Sequence, residues 1–112
     1  MSDLNDMPPI TLTQHDWSEL RRVLARYLPE FTVWAFGSRI TDAAKTFSDL
    51  DLVIVTERPM TLEVMATIKE AFDESDLTIR VDVVDWAATN AAFREIIQQR
   101  YVVIQQAATT TL

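Results

Sequence analysis

The sequence predicts an α/β fold, a single sheet with helices packed on it, and two observations carry that expectation. Segments of helical period alternate with short β-branched or continuously apolar runs in the order α-β-(α)-β-α-β-α-(β). The 112 residues are enough for one domain of common size and leave no room for a second core of useful volume.

Each element has its own signal. Residues 1–12 end in Pro8-Pro9 and read as a flexible N-terminal arm, and the domain proper is expected over 13–105. Thr13 stands as a helix cap with Asp16 three positions on, and Trp17, Leu20, Val23, Leu24, Tyr27 and Leu28 follow at helical spacing until Pro29. Thr32 to Phe36 is β-branched and aromatic and reads as a strand running into Gly37. Ile40 to Lys45 is expected to form a short helix. Leu50 to Val55 is almost continuously apolar, as a strand buried on both faces should be. Thr61 caps a second amphipathic helix whose apolar positions are Leu62, Val64, Met65, Ile68, Ala71 and Phe72. Thr78 to Val84 alternates as a strand, Asp85 takes the capping position for a helix over Ala87 to Gln99, and Tyr101 to Ile104 adds a last short strand. The polar residues 106–112 are expected to fray.

Composition narrows the function. Apolar residues at 48% and charged residues at 24% are ordinary for a soluble globular chain. No apolar run approaches the ~20 residues that span a bilayer, and the first residues lack the basic and apolar regions of a secretory signal. Zero Cys excludes disulfides and thiolate metal sites, and a single His excludes an ordinary zinc site. A cytoplasmic protein that contacts no membrane is the expectation. The net charge of −7 argues against direct nucleic-acid binding, which needs a basic footprint. Glycine is scarce: average usage of ~7% would give about eight, and the chain has one, Gly37. A chain that makes its other turns without glycine has kept this one for local geometry.

The chemistry gathers around that glycine. Gly37-Ser38 is followed by ten residues and then Asp49-Leu50-Asp51. Alternation along an extended segment points Asp49 and Asp51 one way and Leu50 and Leu52 the other. Two such carboxylates repel, so one tends to hold a proton unless a divalent cation removes the penalty, and hard oxygen ligands suit Mg²⁺ or Mn²⁺. A DxD alone reads more readily as a solvated acidic strand end. Asp82, in Arg80-Val81-Asp82-Val83-Val84, completes a three-carboxylate cluster if its strand lies beside the Leu50 strand. Asp85, three positions on, faces the other way. Gly37 lets backbone approach a phosphate closely, Ser38 offers N–H and hydroxyl donors, and Arg39 adds charge toward a triphosphate. His15 reads as a surface residue, and Trp17, Trp34 and Trp86 as core or interface. Arg94, Arg100 and Tyr101 read equally as solvated helix-end residues or as contacts to a partner or nucleotide.

At Phe36-Gly37-Ser38-Arg39, Ser48-Asp49-Leu50-Asp51-Leu52-Val53 and Val81-Asp82-Val83-Val84 the sequence resembles the minimal nucleotidyltransferases of the DNA polymerase beta superfamily. The ending Phe93-Arg94-Glu95-Ile96-Ile97 also looks like theirs, so the resemblance covers about residues 13 to 105. The segment after Arg39, Ile40-Thr41-Asp42-Ala43-Ala44-Lys45, departs from the Gly-containing, basic segment common there. The resemblance implies a small mixed sheet flanked by helices. It implies that Asp49, Asp51 and Asp82 are catalytic residues holding two Mg²⁺, with Mn²⁺ able to substitute, and that Gly37, Ser38 and Arg39 bind the nucleotide. Stand-alone members this short are commonly antitoxins of HEPN-domain ribonuclease toxins. The implied reaction is transfer of AMP from ATP to a toxin tyrosine within a hetero-oligomeric complex. The competing expectation is a non-catalytic antitoxin or binding module that neutralises its partner by masking it. A dehalogenase or glycosyltransferase DxD fits poorly, because those follow an apolar strand and here the apolar run comes after the pair.

Overall fold

The computed structural model describes residues 7–41, 43–44 and 48–108. Its elements are α1 (Gln14–Tyr27), β1 (Thr32–Phe36), β2 (Leu50–Val55), α2 (Leu62–Asp73), β3 (Val81–Asp85), α3 (Ala91–Gln99) and β4 (Val102–Gln105), with 3₁₀ turns at Ser38–Ile40 and Trp86–Ala88. The strands form one mixed sheet in the order β3-β2-β1-β4. β1 pairs antiparallel with β2 and β4, and β2 runs parallel to β3. The parallel pair is joined through α2, as a crossover connection requires. This is the small mixed sheet flanked by helices that the resemblance implied.

Register gives the sheet two different faces. Ala35 lies opposite Leu52, and Leu52 beside Val83, so Val33, Ala35, Leu50, Leu52, Ile54 and Val83 share one face. Trp17, Leu20, Val23 and Leu24 of α1 and Ile68, Ala71 and Phe72 of α2 join them in the main core. Thr13 caps α1 by accepting from the N–H of Asp16 at 3.1 Å, and Thr61 caps α2 through the N–H of Val64, also at 3.1 Å. Leu20 and Leu24 are withdrawn from water almost entirely, and each such side chain stabilises the fold by about 1.5–3 kcal/mol.

The opposite face carries Asp51, Val53, Asp82, Val84, Trp34 and Phe36. Val53 and Ile97 are fully buried yet stand outside the main core. Around them Trp34 stacks on Tyr101 at 4.1 Å and meets Trp86 edge-on at 5.5 Å, while Phe93 meets Phe36 edge-on at 5.7 Å. Phe93 and Ile97 are one helical repeat apart, so α3 presents one stripe to this face. It is a smaller second core, and beside it the acids stand at the starts of β2 and β3.

Four local expectations are corrected. The helix expected over Ile40 to Lys45 is replaced, among the described residues, by the single turn Ser38–Ile40, because Thr41 is extended and its hydroxyl donates to the carbonyl of Ser38. Asp42 and Lys45 lie outside the described residues. Asp85 does not cap a helix: its carboxylate accepts from the hydroxyl of Thr56 and from the N–H of Met60 at 2.6 Å. The last helix begins four residues later than Ala87, at Ala91, where Asn90 caps it through the N–H of Phe93. β3 likewise begins at Val81, because Thr78 bonds to Asp16 of α1 through both N–H and hydroxyl.

Of the arm expected over 1–12, residues 1–6 lie outside the described part. Ile10 is buried in the main core and the N–H of Thr11 donates to the carbonyl of Arg39. Of the tail, 109–112 lie outside, and Ala107 and Ala108 donate to Thr32 and Pro29. Among the described residues no helix is long and apolar enough to cross a membrane.

Candidate active site

The pairing of strands positions the three acids. Asp51 opens β2 directly beside Asp82 of β3 and opposite Phe36 of β1, and Asp49 stands two residues before Asp51. Phe36 runs straight into Gly37, so the glycine meets Asp51 at the end of the two central strands. Gly37 has φ 85° and ψ −158°, a region that only glycine populates freely. A methyl group there would overlap Oδ2 of Asp51 and lie 3.2 Å from its carboxylate carbon. The one glycine therefore answers two demands at once, backbone conformation and room for Asp51.

No hydrogen-bond donor among the described residues reaches the side chains of Asp49, Asp51 or Asp82. Asp51 is half-buried, and its carboxyl titrates above the usual carboxylate range. Burial is the main cause, followed by the charges of Asp82 and then Asp49. The charges of Asp82 and Asp49 thus both act on Asp51. Among the described residues no three of them are gathered closely enough to close around an ion as they stand. The donor set is nonetheless all carboxylate oxygen, without thiolate or imidazole, which fits a hard divalent cation that keeps water and shares ligands with a phosphate.

The nucleotide-binding expectations separate. Gly37 and Ser38 line a cleft of about 400 Å³ with Phe36, Ile40, Thr41, Ala43, Ile96 and Arg100. Arg39 is buried, and its guanidinium donates to the carbonyl of Ser48 at 2.8 and 3.1 Å and to that of Thr11 at 3.1 Å. It ties the Gly37-Ser38 turn to the residue before Asp49. Larger hollows of about 840 and 550 Å³ lie elsewhere, lined by Tyr27, Met60 and Val64 and by Arg21, Arg22 and Gln105; none of the three acids lines these or the cleft itself, which Asp51 adjoins through Gly37.

His15 bonds to the carbonyl of Asp76 at 2.9 Å on α1, and Met60 and Met65 pack on the main core. Arg94 lies over Trp86 and donates to the carbonyls of Trp86 and Ala87. Sequence reasoning did not single out Ile96 and Arg100 as neighbours of Ser38. Nothing in their spacing signals it, because only the return of α3 across the sheet brings them there.

Residues 19–109 match the family model described as polymerase beta, nucleotidyltransferase. A probable protein adenylyltransferase MntA of Haemophilus influenzae is 52% identical over 87 residues, which span 78% of this chain and 76% of the relative. Among solved structures, a toxin–antitoxin with AMP-PNP is similar with a TM-score of 0.62 and 15% identity, over 82% of this chain and 74% of the other. A tri-AMPylated Shewanella oneidensis HEPN toxin in complex with MNT antitoxin aligns with a TM-score of 0.56 and 15% identity, over 86% and 74% of the two chains. At that identity the structural likeness speaks for the fold alone.

Proposed function

This chain belongs to the polymerase beta nucleotidyltransferase family, and from that premise we propose that it transfers AMP from ATP to a tyrosine of a HEPN-domain toxin, with Mg²⁺, and so acts as the toxin's antitoxin. The observation that carries the reading is the half-buried Asp51, without a donor among the described residues, between two like charges and against a glycine that leaves it room. Like charges set beside a half-buried carboxyl cost stability, and groups perturbed in this way mark functional sites. The 52% identity to a probable protein adenylyltransferase supports the choice of AMP and of a protein acceptor.

The roles follow from chemistry. Asp49, Asp51 and Asp82 would hold the divalent ions, which supply charge neutralisation for the entering oxygen and the departing pyrophosphate. Gly37 and Ser38 would fix the outer phosphates, so that the tyrosine oxygen, the α-phosphorus and the leaving oxygen fall in line. Arg39 would act from behind the turn, holding Ser48 and therefore the approach to Asp49 in place. A new bond joins the tyrosine oxygen to the α-phosphorus, the bond to the β-phosphate breaks, and the phenolic proton is given up.

The test is to incubate the chain with ATP, Mg²⁺ and its HEPN partner and weigh the intact partner. The expected result is a gain of one or more AMP units, reduced about 10³-fold or more in rate by Asp49→Asn. A tight complex with no transfer from any nucleoside triphosphate would replace catalysis with masking.

A further inference from the structure

We propose that Arg100, at the end of α3, is the cation that binds the outer phosphates of the nucleotide, in the cleft it shares with Ser38. The inference rests on the nucleotidyl-transfer reading and adds a residue that neither the sequence motif nor the comparisons assign.

The argument starts from charge. A triphosphate entering beside Asp49, Asp51 and Asp82 meets three carboxylates on a chain of net charge −7, and ions at those acids neutralise only the part of the tail next to them. The far phosphates need a cation of their own. The motif offers Arg39, but its guanidinium donates to the carbonyls of Ser48 and Thr11 and is buried in doing so. Of the other cations, Arg22 pairs with Glu19, Arg94 is held by Trp86 and Ala87, Arg58 borders a hollow at the opposite end of β2, and Arg21, Arg26, Lys69 and Arg80 do not line the cleft. Lys45 lies outside the described residues. Among the described cations, Arg100 is the one that lines the cleft beside Gly37 and Ser38.

The cleft suits such a contact. Its volume of about 400 Å³ is within the range of small-ligand sites, about 300–1,000 Å³. Phe36, Ile40 and Ile96 give it apolar walls, and a guanidinium–phosphate pair between apolar walls is stronger than one in open water. Arg100 leaves α3 in extended conformation after its N–H bonds to the carbonyl of Ile97 at 3.2 Å. Its backbone is thereby fixed at the mouth of the cleft while its side chain stays exposed.

Calorimetry of the full chain with Mg²⁺ tests this, using ATP, inorganic tripolyphosphate and adenosine as probes. Arg100→Ala should weaken ATP and tripolyphosphate roughly 10- to 100-fold, the loss expected for a charge-assisted contact, and leave adenosine unchanged. Arg100→Lys should recover part of it. In transfer assays the alanine variant should raise the KM for ATP far more than it lowers kcat, with an unchanged melting temperature. Equal tripolyphosphate binding by wild type and Arg100→Ala overturns the proposal while leaving nucleotidyl transfer intact. Adenosine binding that falls as much as ATP binding overturns it in favour of a base in the cleft. Wild type that binds no nucleotide overturns both readings.

Discussion

Asp16 and Asp85 are buried more deeply than Asp51, at 2% and 6% exposure, yet it is Asp51 that finds no hydrogen-bond donor among the described residues. Burial pushes the Asp16 carboxyl up. The hydroxyl and N–H of Thr78, the hydroxyl of Thr13 and the charge of His15 together outweigh it, leaving the group below its ordinary value. Asp85 takes one hydrogen bond from Thr56 and one from Met60, and Thr56 in turn accepts from the N–H of Ala87 at 3.0 Å. Asp51 has like charges where these acids have donors, and its shift is upward. Depth of burial therefore does not separate structural from functional acids, whereas the supply of donors does.

The largest expected effect tests the structural half of that comparison. Asp85→Ala would leave the Thr56 hydroxyl and the Met60 N–H buried without an acceptor, and such losses cost about 2–4 kcal/mol. For a domain of this size the melting temperature should fall by roughly 10–20 °C. Asp16→Ala should fall similarly, since it frees Thr78 and detaches α1 from the chain before β3. Asp51→Asn, in chelator, should leave the melting temperature unchanged or raise it. A drop for Asp51→Asn as large as that for Asp85→Ala would erase the distinction.

A smaller effect is expected at Gly37. Gly37→Ala forces an alanine into a region that costs about 1–3 kcal/mol and pushes the added carbon against Asp51. Transfer should be lost along with stability. The two costs come apart in a double variant: adding Asp51→Ala removes the overlap but not the backbone strain, so stability should be partly recovered. Strict additivity in thermal unfolding would mean that Gly37 serves the turn alone and makes no room for Asp51.

Much of this was legible because it is local. The extents of β1 and β2 and the caps Thr13 and Thr61 follow from β-branched runs, apolar runs and Thr before an amphipathic stretch. The neighbourhood of Asp51 and Asp82 was readable as a condition, since alternation sets the face of each and only the pairing of β2 with β3 had to be supplied. What could not be read depends on partners distant in sequence. Asp85 looked like a cap because Asp before Trp86-Ala87 is a capping pattern, and its true partners are about 25 to 29 residues earlier. Arg39 looked free to meet a triphosphate because Thr11, 28 residues away, gives no sign that it lies against the turn. Arg100 was undecided for the same reason.

The smallest effect expected is the pH dependence, and its sign differs between the two kinds of acid. Asp16 titrates lower in the folded chain, so its contribution is full above the ordinary carboxylate range and is lost as pH falls through the folded value. Glu19, held down to about 2 by Arg22 and then by the N–H of Asp76, loses its contribution between about 4.5 and 2. Asp51 titrates higher when folded, so the folded chain takes up its proton first. Its charge costs stability at neutral pH, and that cost disappears as pH falls through the folded value. Urea unfolding in chelator should therefore show Asp51→Asn more stable than wild type at pH 7, with the gap closing as the pH is lowered toward the carboxylate range. Asp16→Asn should be less stable than wild type at pH 7, with its gap closing only below pH 4. If the Asp51→Asn gap instead widens on acidification, Asp51 is stabilised as an anion in the empty site, and it belongs with Asp16 and Asp85 after all.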